Sequence, residues 1–340
     1  MLRLAVSARA LFNMEDGHDI FLKDGQDAFD EYMRKNERKP LRHGPAFNLV
    51  TKLLSLNSEG LTDRVEVILV SRNSPEAGVR VFNSVKHHGL NINRAAFVRG
   101  GTRFGLVSAF KAHLFLSRHP EEVREALDNG IAAATLEPHA LVPDSKDNTV
   151  HIAFDGDAVL FDDSAEAVNH KYGLQAFIAS EIKNAKKPLG GGPFRPVLEE
   201  LAKIKEEVGD RLRFSLVTAR GFTCSERVSR TLRSWGVKLD GTVFCDGSAK
   251  GPVLNEMEVD MFLDDGLRNI ASASQYVASG HVPSGISNSG KPKADAKSDS
   301  KADPKASAKS DVKIDSRAAA KQAAEEAELE NAIAAVGLKP

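Results

Sequence analysis

The chain repeats itself, and that constrains its architecture more than any single motif does. Lys39-Pro40-Leu41-Arg42-His43-Gly44-Pro45 recurs as Lys187-Pro188-Leu189-Gly190-Gly191-Gly192-Pro193 at an offset of 148, and Ala28-Phe29 recurs as Ala176-Phe177 at the same offset. One residue is then lost. At 147, Leu69-Val70-Ser71 faces Leu216-Val217-Thr218, Arg80-Val81 faces Arg227-Val228, Gly89 faces Gly236 and Phe97 faces Phe244. Leu114-Phe115-Leu116 closes the series against Met261-Phe262-Leu263. Chance matching of apolar strands would not hold so steady an offset through a Gly-Pro pair and a lone Gly. The body therefore reads as two copies of one unit, 1–145 and 146–278, and a length of 340 residues leaves a remainder at 279–340.

Each copy has the pattern of a short apolar strand, two helical segments, a second strand, another helix, then a third and a fourth strand. In the second copy the predicted strands cover 150–160, 213–217, 242–245 and 259–263, with helices near 164–184, 195–207 and 225–235. Strands that alternate with helices and are apolar on both faces belong to parallel sheets covered on both sides. The expected fold class is α/β, with two related Rossmann-like halves. In such sheets ligands bind beyond the carboxyl ends of the strands, so polar residues there are the candidates for chemistry.

From Ser279 onward Lys, Asp, Ala and Ser dominate, with Lys at 293, 297, 301, 305, 309 and 313. Such a stretch cannot bury a core, and it is expected to be a disordered, low-complexity tail in which only 318–336 has helical character. Ten basic and nine acidic residues lie in that tail, against 36 and 38 before it. A formal charge of −1 overall excludes the basic excess of a nucleic-acid binder. No apolar run approaches a membrane span, and the early apolar stretch is broken by Arg3 and Arg9, unlike a secretory signal. Cys224 and Cys245 are too few for a disulfide framework. A cytoplasmic protein with no nucleic-acid or membrane partner is the expectation.

Acidic residues gather at the strand ends of the second copy. Phe154-Asp155-Gly156-Asp157 follows its first strand and Asp264-Asp265 its last, while Thr218 ends the second strand and Lys250 follows the third. Clustered carboxylates raise one another's pKa unless a cation offsets them, and an oxygen-only set points to Mg2+. A hydroxyl and an ammonium opposite that cation would clamp a phosphoryl group. Asp155 would attack phosphorus to form an aspartyl-phosphate, and Asp157 would first donate and then accept a proton. Asp155, Asp157, Asp264 and Asp265 are the candidate metal ligands, Asp157 through its backbone carbonyl; Thr218 and Lys250 are the phosphate-binding candidates.

This ordered set resembles the four-motif signature of the haloacid dehalogenase superfamily of phosphohydrolases. Ala5-Val6-Ser7-Ala8-Arg9-Ala10-Leu11-Phe12, Asn83-Ser84-Val85 with His87, Ala153-Phe154-Asp155-Gly156-Asp157-Ala158-Val159-Leu160-Phe161 and Leu232-Arg233-Ser234-Trp235-Gly236 are similar to the cytosolic type I 5'-nucleotidase family. The likeness covers roughly residues 1 to 275. It implies haloacid dehalogenase-like halves, Mg2+-dependent hydrolysis of nucleoside 5'-monophosphates with AMP first, a nucleoside diphosphate activator, and a homo-oligomer. A phosphohydrolase acting on another small ester, a phosphotransferase and a nonenzymatic nucleotide sensor are the competing readings.

The first copy has lost these acids. Ser7 and Arg9 stand at the positions of Asp155 and Asp157, Ser71 at Thr218, Arg103 at Lys250, and Ser117 and Arg118 at Asp264 and Asp265. Ser7, Arg9, Ser71, Arg103 and Arg118 would hold an anion without metal, as a nucleotide phosphate site that either is regulatory or completes the substrate pocket. The alternative is that the arginines make structural ion pairs. Phe194 and Phe222 are candidates to stack on a base, and Gly190-Gly191-Gly192 reads as a turn because it lacks phosphate-loop spacing.

Overall fold

The computed structural model describes residues 1–57, 63–99, 104–138 and 147–289, and Ala327 alone. Arg103 and the remainder of the expected tail, with the helical stretch inferred for 318–336, lie outside the described residues apart from Ala327. The first half supplies β1 (Leu2–Val6), β2 (Phe12–Asn13), β3 (Arg42–His43), β4 (Val65–Ser71), β5 (Arg94–Phe97), β6 (Leu114–Ser117) and β7 (Ala132–Leu136). The second supplies β8 (Val150–Phe154), β9 (Leu212–Thr218), β10 (Gly241–Phe244), β11 (Met261–Asp264) and β12 (Ala278–His281). β2 and β3 pair with each other, and the other ten strands form one sheet in the order β10-β9-β8-β11-β12-β7-β6-β1-β4-β5.

That order is palindromic in the repeat. Each half is a five-stranded parallel sheet with its first strand at the centre, and the halves join where β7 and β12 run antiparallel. The register at the seam is itself symmetric. Leu116 pairs with Ala134 and Leu263 with Gly280, so Ala134 matches Gly280 and Thr135 matches His281. Thr135 and His281 are also direct partners across the seam. The halves are thus related by a two-fold rotation about that pair, and their strands' carboxyl ends lie on opposite edges of the sheet.

Matched positions make matched bonds. Ser84 Oγ accepts from Leu41 N at 2.9 Å, and Thr231 Oγ1 accepts from Leu189 N at 3.0 Å. Arg80 Nε donates to the Lys39 carbonyl at 3.0 Å, and Arg227 Nε to the Lys187 carbonyl at 2.9 Å. Gly89 and Gly236 both end helices at positive φ, 65° and 70°, where a Cβ is costly. Gly44 and Gly192 both press on backbone, where a Cβ would come within 2.7 Å of Ala10 O and 2.3 Å of Phe161 O. These contacts explain why the repeat survives at those residues.

One face of the sheet carries a core common to both halves, including Leu2, Leu4, Leu53, Ile152, Phe154 and Leu201. The helix Phe47–Ser55 packs on β8 and the helix Arg195–Val208 on β1, so each half covers a strand of the other. Burial of this kind stabilises by about 1.5–3 kcal/mol per large apolar side chain. A buried Lys52–Asp260 pair, 2.7 Å apart, joins the halves further. The opposite face carries two separate smaller cores, one per half.

Two expectations change. Each half contributes five strands to the large sheet, not four, and residues 279–289 belong to the fold, so a tail beginning at Ser279 starts too early. β12 escapes a periodicity reading because its sequence, Ala-Ser-Gly-His, is small and polar. Packing demands that: a Cβ on Gly280 would lie 2.8 Å from Leu263 and 3.0 Å from Ala134 and Leu136. No described helix is long and apolar enough to cross a membrane. Cys224 and Cys245 are buried free thiols.

Candidate active site

β8 lies between β9 and β11, so Asp155 at its end has Thr218 on one side and Asp264-Asp265 on the other. The chain leaves β8 through a tight turn, Gly156–Leu160, closed by Phe161 N donating to Gly156 O at 2.9 Å. Ala158 adopts φ 58° there, a left-handed conformation unusual for a residue with a Cβ. Gly156 lets the turn pass close to Thr218, whose Oγ1 would be 3.4 Å from an added Cβ. Thr218 Oγ1 accepts from Arg220 N at 3.3 Å and keeps its own hydrogen to donate.

Lys250 is fully buried and bridges the acids. Its Nζ lies 2.7 Å from Asp155 Oδ1 and 2.6 Å from Asp264 Oδ2. Asp264 Oδ1 accepts from Gly266 N at 2.7 Å and Asn269 Nδ2 at 3.1 Å. Carboxylate oxygens of Asp155, Asp264 and Asp265 lie within 4.8 Å of one another. Three carboxylates against one ammonium leave two negative charges when all are ionised, and oxygen donors suit a hard divalent cation. This trio could hold one.

Asp157, expected among the metal ligands, does not bring its side chain to the trio. Arg220 takes both its oxygens, Nε to Oδ2 at 2.8 Å and Nη2 to Oδ1 at 2.6 Å. Arg220 is buried and also pairs with Glu181, which in turn accepts from Arg227 Nη1 at 2.5 Å. Sequence reasoning missed Arg220, Glu181 and Asn269; the available signal was Arg220's place two residues beyond Thr218 at the end of a strand.

A family model described as 5'-nucleotidase matches residues 1–289. The chain belongs to the 5'-nucleotidase family. It is similar to human cytosolic 5'-nucleotidase 1B, with 35% identity over 288 residues, 81% of this chain and 47% of that one. The chain thus spans about half the length of this curated relative. A solved structure, that of histidinol dehydrogenase from Elizabethkingia anophelis, covers 70% of this chain and 49% of its own at 10% identity and a TM-score of 0.18, which carries no argument.

Electrostatics in this member of the 5'-nucleotidase family follow from burial. Desolvation pushes Asp155 up to about 7, against the opposing pull of Lys250. Asp265 rises to about 9, first through burial and then through the charges of Asp155, Asp264 and Glu166. Burial pulls Lys250 down, but the charges of Asp155 and Asp264 outweigh it and its pKa is raised. The same balance with Asp157 and Glu181 raises Arg220. Both cations stay charged, while Asp155 and Asp265 hold protons that a bound cation would displace.

In the first half, Ser7 Oγ caps a helix by accepting from Ala10 N at 3.2 Å and, like Thr218, keeps its own hydrogen to donate. Ser71 is buried and accepts from Asn73 N at 3.2 Å. Arg9 donates to Glu15 at 3.0 Å, and Arg118 lies 3.8 Å from the same carboxylate. The structural ion-pair alternative is thus realised in part. With the carboxyl edges opposed, this rim cannot complete the acidic pocket.

Proposed function

We propose that the chain hydrolyses nucleoside 5'-monophosphates, AMP first, to nucleoside and phosphate, with Mg2+ as cofactor. Membership of the 5'-nucleotidase family supports the reading. The observation that carries it is the buried Lys250 set between Asp155 and Asp264, with Thr218 at the adjacent strand end. Asp155, Asp264 and Asp265 would hold the cation, which when bound offsets the repulsion between carboxylate and phosphate.

An Asp155 oxygen attacks phosphorus, the bond to the 5' oxygen breaks, and Asp157 supplies that oxygen's proton. For this the Asp157 carboxyl turns one oxygen from Arg220 to the leaving group, with Arg220 still anchored by Glu181. Thr218 and Lys250 bind the phosphoryl oxygens. Asp157 then takes a proton from water, whose oxygen attacks phosphorus and frees Asp155. Phosphate release from a panel of nucleoside monophosphates and sugar phosphates, with Mg2+ and with chelator, tests the reading; no metal-dependent release from any nucleotide sinks it.

Of the two aromatic candidates, Phe194 is buried against Phe154. Phe222 is 77% exposed, four residues beyond Thr218, with its ring edge-on to Phe244 at 6.0 Å. We assign base stacking to Phe222. Phe222→Ala should raise KM for AMP on the order of tenfold, the scale of one lost base–aromatic stack, and leave KM for ribose 5-phosphate unchanged. An equal change for both substrates would remove the assignment.

Cation binding should tighten with pH. Asp155 and Asp265 hold protons up to about 7 and about 9, and the cation must displace them. The rise in melting temperature on adding Mg2+ should therefore grow from pH 6 to pH 9. A shift independent of pH would contradict the placement of the ion on these two acids.

A further inference from the structure

Asp157 belongs to a buried set of charges that the first half has discarded. Arg220 holds both Asp157 oxygens, and Glu181, on the helix Leu174–Lys183, holds Arg220 in turn. The guanidinium also lies over two rings, 5.9 Å from the centre of Phe161 and 5.2 Å from that of Phe177. The side chains of Arg220 and Glu181 are only 2% and 1% exposed, so this is no loose surface pair. Arg227 completes the set, its Nη1 donating to Glu181 Oε1 and its Nε to the Lys187 carbonyl.

The repeat separates the members of this set that the fold needs from those it does not. Arg80 matches Arg227 and makes the same bond, to the carbonyl of Lys39. Met33 matches Glu181, and Arg80 Nη1 approaches its Sδ at 3.7 Å, just as Arg227 Nη1 meets the carboxylate. Asn73 stands at the position of Arg220 and points its amide at Met14 Sδ, 3.9 Å away, while Arg9 stands at that of Asp157. The first copy thus builds the same corner with Met33 and Asn73, without the buried acid or its arginine. Packing does not require those two charges, and burying ions carries a desolvation cost that an apolar side chain avoids. Glu181 and Arg220 occur in the copy that has Asp157 and are absent from the copy that has lost it. Their duty is therefore to Asp157.

We propose that Arg220 is a positioning residue for Asp157, fixing the placement of its carboxyl through both proton transfers, with Glu181 fixing Arg220. The inference deepens the proposed hydrolysis and rests on it. Arg220 touches no reacting atom and works through Asp157 alone. When one Asp157 oxygen turns from the guanidinium to give its proton to the departing 5' oxygen, the other keeps its hydrogen bond, which a two-pronged contact permits and a single one does not. Without Arg220 the carboxyl, 17% exposed, would lose both of these anchors.

The leaving group reads this role out. The 5' oxygen of AMP departs with a proton from Asp157, whereas p-nitrophenolate departs from p-nitrophenyl phosphate as a stable anion and needs none. The variant carries Glu181→Met together with Arg220→Asn, the pair with which the first copy folds. Its melting curve should stay cooperative. In single turnovers of the full chain with Mg2+, adenosine release should slow at least about a hundredfold, the scale of a misplaced general acid, and p-nitrophenolate release by less than about tenfold. The aspartyl-phosphate formed from p-nitrophenyl phosphate should then accumulate, because Asp157 must also take the proton of the attacking water, and intact-mass spectrometry of the quenched protein detects it. Equal slowing with both substrates, slowing with neither, or a variant that fails to fold overturns the proposal while the parent still turns over. A parent protein that releases neither leaving group overturns the hydrolysis itself, and the positioning role falls with it.

Discussion

Asp155→Asn should abolish phosphate release, with kcat falling at least about a thousandfold, because in the proposed mechanism it is the Asp155 carboxylate that forms the covalent bond to phosphorus. The amide keeps the size of the carboxyl, and the fold should survive. The sign of its effect on stability follows from burial. Asp155 is raised to about 7 in the folded protein, far above an exposed carboxylate. Between roughly pH 4 and 7 the folded state holds a proton that the unfolded state has lost. The contribution of Asp155 to stability is therefore complete at low pH and is lost as pH rises through about 7. At pH 8 in chelator the neutral amide should unfold at the same temperature as the parent or higher, the lost contact to Lys250 notwithstanding. Single-turnover phosphate release and a melting curve check both halves of the expectation; turnover near the parent level removes the nucleophile assignment.

Lys250→Ala should cost the most stability. Its ammonium is fully buried within 2.7 Å of Asp155 and 2.6 Å of Asp264, and removing it leaves two buried acids facing each other. Truncating one member of a buried charge set costs about 3–5 kcal/mol. Denaturant unfolding in chelator should show a loss of that order, and added Mg2+ should return part of it by taking over the neutralisation. Phosphate release should collapse as well, since the phosphoryl oxygens lose their ammonium partner. Unchanged stability in chelator would mean that Lys250 does not balance these acids.

The repeat made the fold legible because the residues it conserves between copies are those with backbone or turn duties: Gly44 and Gly192 against a neighbouring strand, Gly89 and Gly236 at helix ends. Asp155, Thr218 and Asp264 stand out for a related reason, each at or directly after a strand end where an open α/β sheet presents polar groups, while Lys250 lies on the loop beyond β10. What stayed hidden depends on packing between distant segments. The seam strand β12 carries Gly280 because Leu263 and Leu136 leave no room for more, and small residues have no strand signature. The Arg220–Asp157 pair joins residues 63 positions apart, and nothing local in either motif announces it. For base stacking the sequence offers Phe194, Phe222 or an equivalent aromatic without identifying which, and burial is what sets Phe194 apart from Phe222.

The seam between β7 and β12 has a meaning for how such a chain arises. A polypeptide carrying one copy of the unit would present β7 as an open edge, a template for another molecule's strand. Pairing through Thr135 and its equivalent is self-complementary, the geometry by which two identical subunits close into a dimer and go no further. Joining both copies in one polypeptide makes that encounter intramolecular and permanent. Each half is then free to diverge, because its partner no longer has to be its twin: one rim gathered acids and the other arginines.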